Sequence, residues 1–265
     1  MLVAHLLSLA VASPLTPLSG GGSMYVFAQL GPSGDPICQD WQTTYFEVED
    51  LLAGIGDEIV CVDGPMDATS FASGRIDLRD DGFTAEVNGW GEAVAQDVNA
   101  FSRHDINASI TLAVEDDLRI RVNWFYLAAG LGNVWFQIHR LGDINGPDQP
   151  SPPILEHIVS SYIDPITENG VDVLRMPAGR WRIFFVTTHQ SFASTEGFNH
   201  SFARTTNTAT FVPIGDVDGD GLVNVTDLLA LLEQYGSCNN CLADLDGDGV
   251  VEVNDLLMLL ADWSP

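Results

Sequence analysis

Residues 216–227 read DVDGDGLVNVTD and residues 244–255 read DLDGDGVVEVND, the same arrangement 28 positions later. Oxygen donors at alternating positions of a glycine-containing loop suit a hard divalent cation. Calcium takes six to eight oxygens, and a twelve-residue EF-hand loop supplies them from positions 1, 3, 5, 7, 9 and 12, with glycine at 6 for the turn. The first copy offers Asp216, Asp218, Asp220, the carbonyl of Leu222, Asn224 and Asp227, with Gly221 at the sixth position. The second offers Asp244, Asp246, Asp248, the carbonyl of Val250, Glu252 and Asp255, with Gly249 at the sixth. The bland alternative for an acidic, glycine-rich turn is a solvated loop. Two in register, each followed by the same apolar stripe, point to two Ca²⁺ ions.

The elements around these loops follow from periodicity. Leu228, Leu231, Leu232 and Tyr235 recur at helical spacing, and Leu256, Leu259, Leu260 and Trp263 repeat them. This predicts two short helices that bury their stripes against each other. Val223 and Val251, at the eighth position of each loop, are expected to meet in a short β-bridge. Before Asp216 the chain reads TATFVPIG, whose β-branched residues, Pro213 and Gly215 predict a strand ending in a linker. The helix that enters a full EF-hand is therefore expected to be missing.

A duplicated calcium loop with an exiting helix, no entering helix and Asp at position 12 resembles the dockerin domain, over residues 215–265, roughly a fifth of the chain. The resemblance implies a calcium-dependent, pseudo-two-fold module that docks onto a cohesin domain of a scaffold or surface protein. Such modules are best known from polysaccharide breakdown. It also implies that loop positions 10 and 11 face the partner, here Val225 and Thr226 in one copy and Val253 and Asn254 in the other. Where many members carry basic residues in the helix, this chain has Leu232 and Glu233, then Leu260 and Ala261.

Charge supports the metal. The chain of 265 residues carries 37 acids against 10 bases, a net charge of -27, and every base is an arginine. Residues 215–265 hold eleven of the acids and no base, so without counterions that tail repels itself. The same charge argues against a nucleic-acid partner. No apolar run approaches the ~20 residues of a membrane-spanning helix. The opening MLVAHLLSLAVAS has an apolar run ending in Ala10-Val11-Ala12, which predicts an export signal cleaved before Ser13 and an extracellular or cell-surface location.

Four cysteines fit an oxidising compartment. Cys38 and Cys61 could bridge, which would close a loop worth roughly 3 kcal/mol. Cys238 and Cys241 form a C-x-x-C between the two loops. It lacks the second ligand pair of a zinc site and the βαβ context of a redox motif, so a local disulfide is the preferred reading.

The body, residues 24–212 after a leader of 1–23, alternates with period two. Ile110, Leu112 and Val114 share a face, as do Leu118, Ile120, Val122, Trp124 and Tyr126 beyond the Asp116-Asp117 turn, which reads as a β-hairpin. RIDLR, FTAEVNGW, NVWFQIHR and RWRIFFVTT read as further strands, SFARTTNTATFVP as a last strand at the domain edge, and ILEHIVSS as either strand or helix. The fold class is an antiparallel β-sandwich, Ig-like or jelly-roll in style, followed by the small helical module at 213–265.

No catalytic constellation is evident: there is no H-E-x-x-H, G-x-S-x-G or P-loop. His104-Asp105 and His189 read as surface or loop groups, and Asp143, Asn145 and Asp148 as a polar turn. Trp90, Trp124, Phe125, Tyr126, Trp135, Phe136 and Trp181 could present a sugar platform, although each reads more readily as core. Trp135 and Phe136, being adjacent, must point to opposite faces. The sequence thus favours a non-catalytic sandwich with a calcium-dependent docking tail. The alternatives are a glycoside hydrolase or a carbohydrate-binding accessory protein.

Overall fold

The structure, a computed structural model, describes residues 14–31, 36–64, 66–95, 99–149, 151–162, 164–193, 197–238 and 241–264. The predicted export signal lies outside the described residues.

Twelve strands form two six-stranded antiparallel sheets. In chain order they are β1 (Leu15–Leu30), β2 (Cys38–Glu47), β3 (Ile55–Asp63), β4 (Met66–Arg79), β5 (Gly82–Ala95), β6 (Ala100–Val114), β7 (Leu118–Ala129), β8 (Leu131–Gly142), β9 (Leu155–Ser161), β10 (Ile166–Met176), β11 (Gly179–Ala193) and β12 (Gly197–Val212). The first sheet runs β2-β1-β6-β11-β8-β9 and the second β10-β7-β12-β5-β4-β3. A short helix, α1 (Val48–Ala53), joins β2 to β3. Its capping box of Glu47 and Asp50 opens it and buried Leu51 anchors it.

Alternation explains the layers. Along β11 the residues Trp181, Ile183, Phe185 and Thr187 are buried, while Arg182, Phe184 and Val186 between them are not. Along β5, Phe83, Ala85 and Val87 point the same way from the other sheet. One hydrophobic core fills the space between the two inner faces, with Trp181, Phe83, Phe136 and Phe185 among its largest members.

Three expectations need correction, and one open reading is resolved. β6 and β7 do not pair: the Asp116-Asp117 turn carries the chain from one sheet to the other. Both strands still bury their predicted faces, because a sandwich crossover and a hairpin produce the same alternation. β12 is not at an edge but lies between β7 and β5. The segment of undecided type is strand β9. Residues 15–23 belong to the sandwich and not to a leader, since β1 pairs with β6 from Leu15 onward.

Each open edge of the sandwich is tied across its two sheets. At one edge the Cys38–Cys61 disulfide joins β2 to β3 with Cα atoms 5.8 Å apart. At the other, His157 Nε2 on β9 lies 2.8 Å from Asp172 Oδ2 on β10, which also accepts a hydrogen bond from Trp124 Nε1 at 2.6 Å.

After β12 the chain turns through Pro213 and enters the first acidic loop. Helix α2 (Val225–Glu233) follows, then β13 (Gly236–Ser237), the second loop, β14 (Val250–Val251) and α3 (Val253–Ala261). Among the described residues no helix enters either loop, and none is long and apolar enough to cross a membrane. The tail has its own small core of Val217, Val223, Leu231, Ala243, Leu245, Val251 and Leu259. Only part of the predicted helix stripe is inside it: Leu232, Tyr235 and Leu260 are exposed.

Candidate metal centres

In the first loop, carboxylate oxygens of Asp216, Asp218 and Asp227 lie within 4.8 Å of one another, and in the second those of Asp244, Asp246 and Asp255 do the same. These are positions 1, 3 and 12 of each copy. Asp216, Asp227 and Asp255 are fully buried and Asp244 nearly so. Buried carboxylates are costly unless paired, hydrogen-bonded or metal-bound.

Backbone N–H groups organise the six acids. Asp216 accepts from Gly219 at 2.7 Å and from Gly221 at 2.9 Å, and Asp244 accepts from Gly247 and Gly249 at the same distances. Asp227 accepts from Val217, Asp218 and Asn224, and Asp255 from Leu245, Asp246 and Glu252. The sixth-position glycines, Gly221 and Gly249, have φ of 94° and 89°, the left-handed region that lets the loop double back. Burial and the neighbouring Asp227 and Asp218 carboxylates push the Asp216 carboxyl up, against the pull of its two backbone hydrogen bonds. A cation among these oxygens would relieve that repulsion, so the donor set fits a hard divalent ion.

The remaining predicted ligands stand outside these triads. Asp220 and Asp248 accept from the Leu222 and Val250 amides at 2.8 Å. Asn224 Oδ1 caps α2 by accepting from Thr226 N, and Glu252 accepts from the Asn254 side chain. Val225, Thr226, Val253 and Asn254 are exposed at the starts of their helices.

The expected bridge between Val223 and Val251 is not formed. Val251 pairs with Gly236 just after α2, and the Val223 carbonyl accepts from Ser264 N just after α3. Each loop is thus closed by the segment that follows the other loop's helix, and both valines remain buried in the tail's core. Cys238 and Cys241 are joined by a disulfide within the linker between the repeats.

Two arginines of the sandwich, which nothing in the motif pointed to, hold the tail. Arg119 on β7 is 1% exposed and donates from Nη1 to the Asp216 carbonyl at 2.7 Å and from Nη2 to the Leu242 carbonyl. Burial pulls its pKa down to about 10, opposed by Asp216 and Asp227 and assisted by Arg175. Arg175 on β10 reaches the Asp244 carbonyl at 3.5 Å and is held by Asp117 at 2.7 Å.

His104 and His189 are not surface or loop groups. His104 on β6 and His189 on β11 are fully buried, opposite each other in register, and joined through their Nδ1 atoms. Burial lowers the His104 pKa to about 3. Gly89 and Gly91 on the facing strand β5 leave room for the two rings: a Cβ at either would overlap an imidazole. Asp143 and Asp148 belong to arginine contacts, with Asp148 2.8 Å from Arg180.

Of the aromatic candidates, Tyr126, Phe136 and Trp181 are core, Trp90, Trp124 and Phe125 are half-buried, and Trp135 is exposed. The outer face of the first sheet also exposes Trp41, Tyr45 and Phe192, which were not singled out from sequence because they break no alternation.

No family model and no curated protein matches the sequence. Among solved structures, the N-terminal cellulose-binding domain of Cellulomonas fimi β-1,4-glucanase C aligns at 10% identity and a TM-score of 0.22, covering 51% of this chain and 82% of that one. The enzymatically active domain of bacteriophage CBA120 tailspike protein 4 aligns at 9% identity and a TM-score of 0.19, covering 60% of this chain and 19% of that one. Likenesses this weak carry no argument about what this chain binds.

Proposed function

We propose that residues 213–265 form a dockerin-like module that takes two Ca²⁺ ions and docks an exported, non-catalytic β-sandwich onto a cohesin-like domain or another surface protein. The observation that carries the metal part is the repeat of one carboxylate triad, two of its three acids buried, at the same loop positions, 28 residues apart. Two disulfides support an oxidising location.

The docking part rests on the helices. Val225, Leu229 and Leu232 on α2 are exposed, and so are Val253, Leu257 and Leu260 on α3. Each set follows i, i+4, i+7, one face of a helix. The two faces are copies of each other, so either can dock. With a cohesin domain immobilised, the full chain is expected to be retained in calcium and released by chelator. Leu229→Asp or Leu257→Asp alone is expected to leave retention, and the pair to abolish it. Retention unchanged by chelation or by the pair would sink the docking proposal.

A second reading gives the sandwich a polysaccharide ligand. Trp41, Tyr45 and Trp135 stand on one outer face with polar neighbours between them, and Phe27 on that face packs against Tyr25 and Phe101. Retention on a polysaccharide panel without sugar release, lost on Trp41→Ala, would support a binding function. Release of reducing sugar would instead support the hydrolase alternative.

A further inference from the structure

The tail does not hang from a linker. It sits on the outer face of the second sheet, and its two-fold repeat is matched by two neighbouring positions of one strand. The fourth residue of each loop, Gly219 or Gly247, has φ of 76° or 78°. A Cβ at Gly219 would overlap Val173, and one at Gly247 would overlap Arg175. Val173 and Arg175 are two residues apart on β10 and so share a face of the sheet. One strand therefore reads both copies of the repeat.

Arg175 and Arg119 are register partners on β10 and β7. Like charges directly opposite destabilise a strand pair, so the pair needs something negative above it. Asp117, 2.7 Å from Arg175, supplies part of that from within the sandwich, and the acidic tail adds to it through contacts to particular atoms. Arg119 holds the carbonyl of Asp216, the first residue of the first loop, and that of Leu242, two residues before the second. Arg175 reaches the carbonyl of Asp244, the first residue of the second loop. A guanidinium fixed on the peptide carbonyl of a residue limits where that residue's carboxylate can stand.

We infer that Arg119 and Arg175 are positioning residues for the two calcium loops, coupling metal occupancy in the tail to the stability of the sandwich. The inference rests on the calcium reading above. Removing partners that orient metal ligands typically weakens affinity by roughly 10–100-fold. Arg119→Lys keeps the charge but gives up the fork that spans two carbonyls. It is expected to weaken calcium at both loops by a factor of that order, and Arg175→Gln to weaken the second loop alone. By reciprocity, calcium raises the sandwich's unfolding midpoint in the parent protein, and by less in the variants.

The experiment is a calorimetric calcium titration of the full chain, with thermal unfolding followed in the β-sheet signal, each with and without calcium. If the parent protein binds no calcium, the calcium reading falls and takes this inference with it. If the parent binds two ions and both variants bind two with unchanged affinity, the calcium reading stands and the inference is overturned. A merely structural arginine would lower the midpoint equally with and without metal. Should Arg119→Lys fail to fold, Arg175→Gln decides the matter through the selective loss at the second loop.

Discussion

At the scale of single residues, the groups with the strongest claim on attention are polar and buried. His104 lies opposite His189 under two glycines, and its burial holds its pKa at about 3. The unfolded chain takes up a proton near pH 6.5 that the folded chain refuses until about pH 3. Stability that His104 contributes is therefore present above pH 6.5 and lost as pH falls through that window, by up to about 1.4 kcal/mol per pH unit. Denaturant unfolding between pH 7 and 4 is expected to show this slope, and His104→Gln to flatten it. Gly91→Ala is expected to destabilise by about 1–3 kcal/mol, because a methyl group there overlaps His189 and Ser102. A variant as stable as the parent would show that the rings have slack. None of this was legible in the sequence: a histidine on an alternating strand looks the same whether its neighbours across the core are glycines or bulky residues. The acidic loops were legible because their acids and their turn glycines are contiguous.

At the scale of elements, alternation revealed which residues face inward but not which strands are partners. β6 and β7 bury the expected residues while sitting in different sheets, since a buried face is blind to what lies beside it. The partial burial of the helix stripes has a similar origin. A tail with so small a core covers Leu231 and Leu259 fully and leaves Leu232, Tyr235 and Leu260 outside. Replacing Cys38 and Cys61 by Ser is expected to cost about 3 kcal/mol, measured as a lowered denaturation midpoint. An unchanged midpoint would mean that the β2 and β3 edges are held by packing alone. In the tail, Asp227→Asn keeps the shape of the side chain but weakens its hold on the Val217, Asp218 and Asn224 amides. The variant is expected to lose the first metal site while the second persists.

At the scale of the whole molecule, charge and connectivity fit together. A tail with eleven acids and no base rests on a face that presents Arg119 and Arg175, and the motif of the tail carries no hint of either. Only the fold, by pairing β7 with β10 at the sheet's edge, brings them together beneath the loops. The sandwich is in this way a platform for the two acidic loops, and under the proposed function it is also the body that they dock. The measurement that bears most directly on this account is the number of calcium ions bound by the full chain at neutral pH. Two sites in the parent protein, falling to one with Asp216→Ala and to one with Asp244→Ala, is the predicted result. A parent protein that binds none, or variants that still bind two, would contradict it.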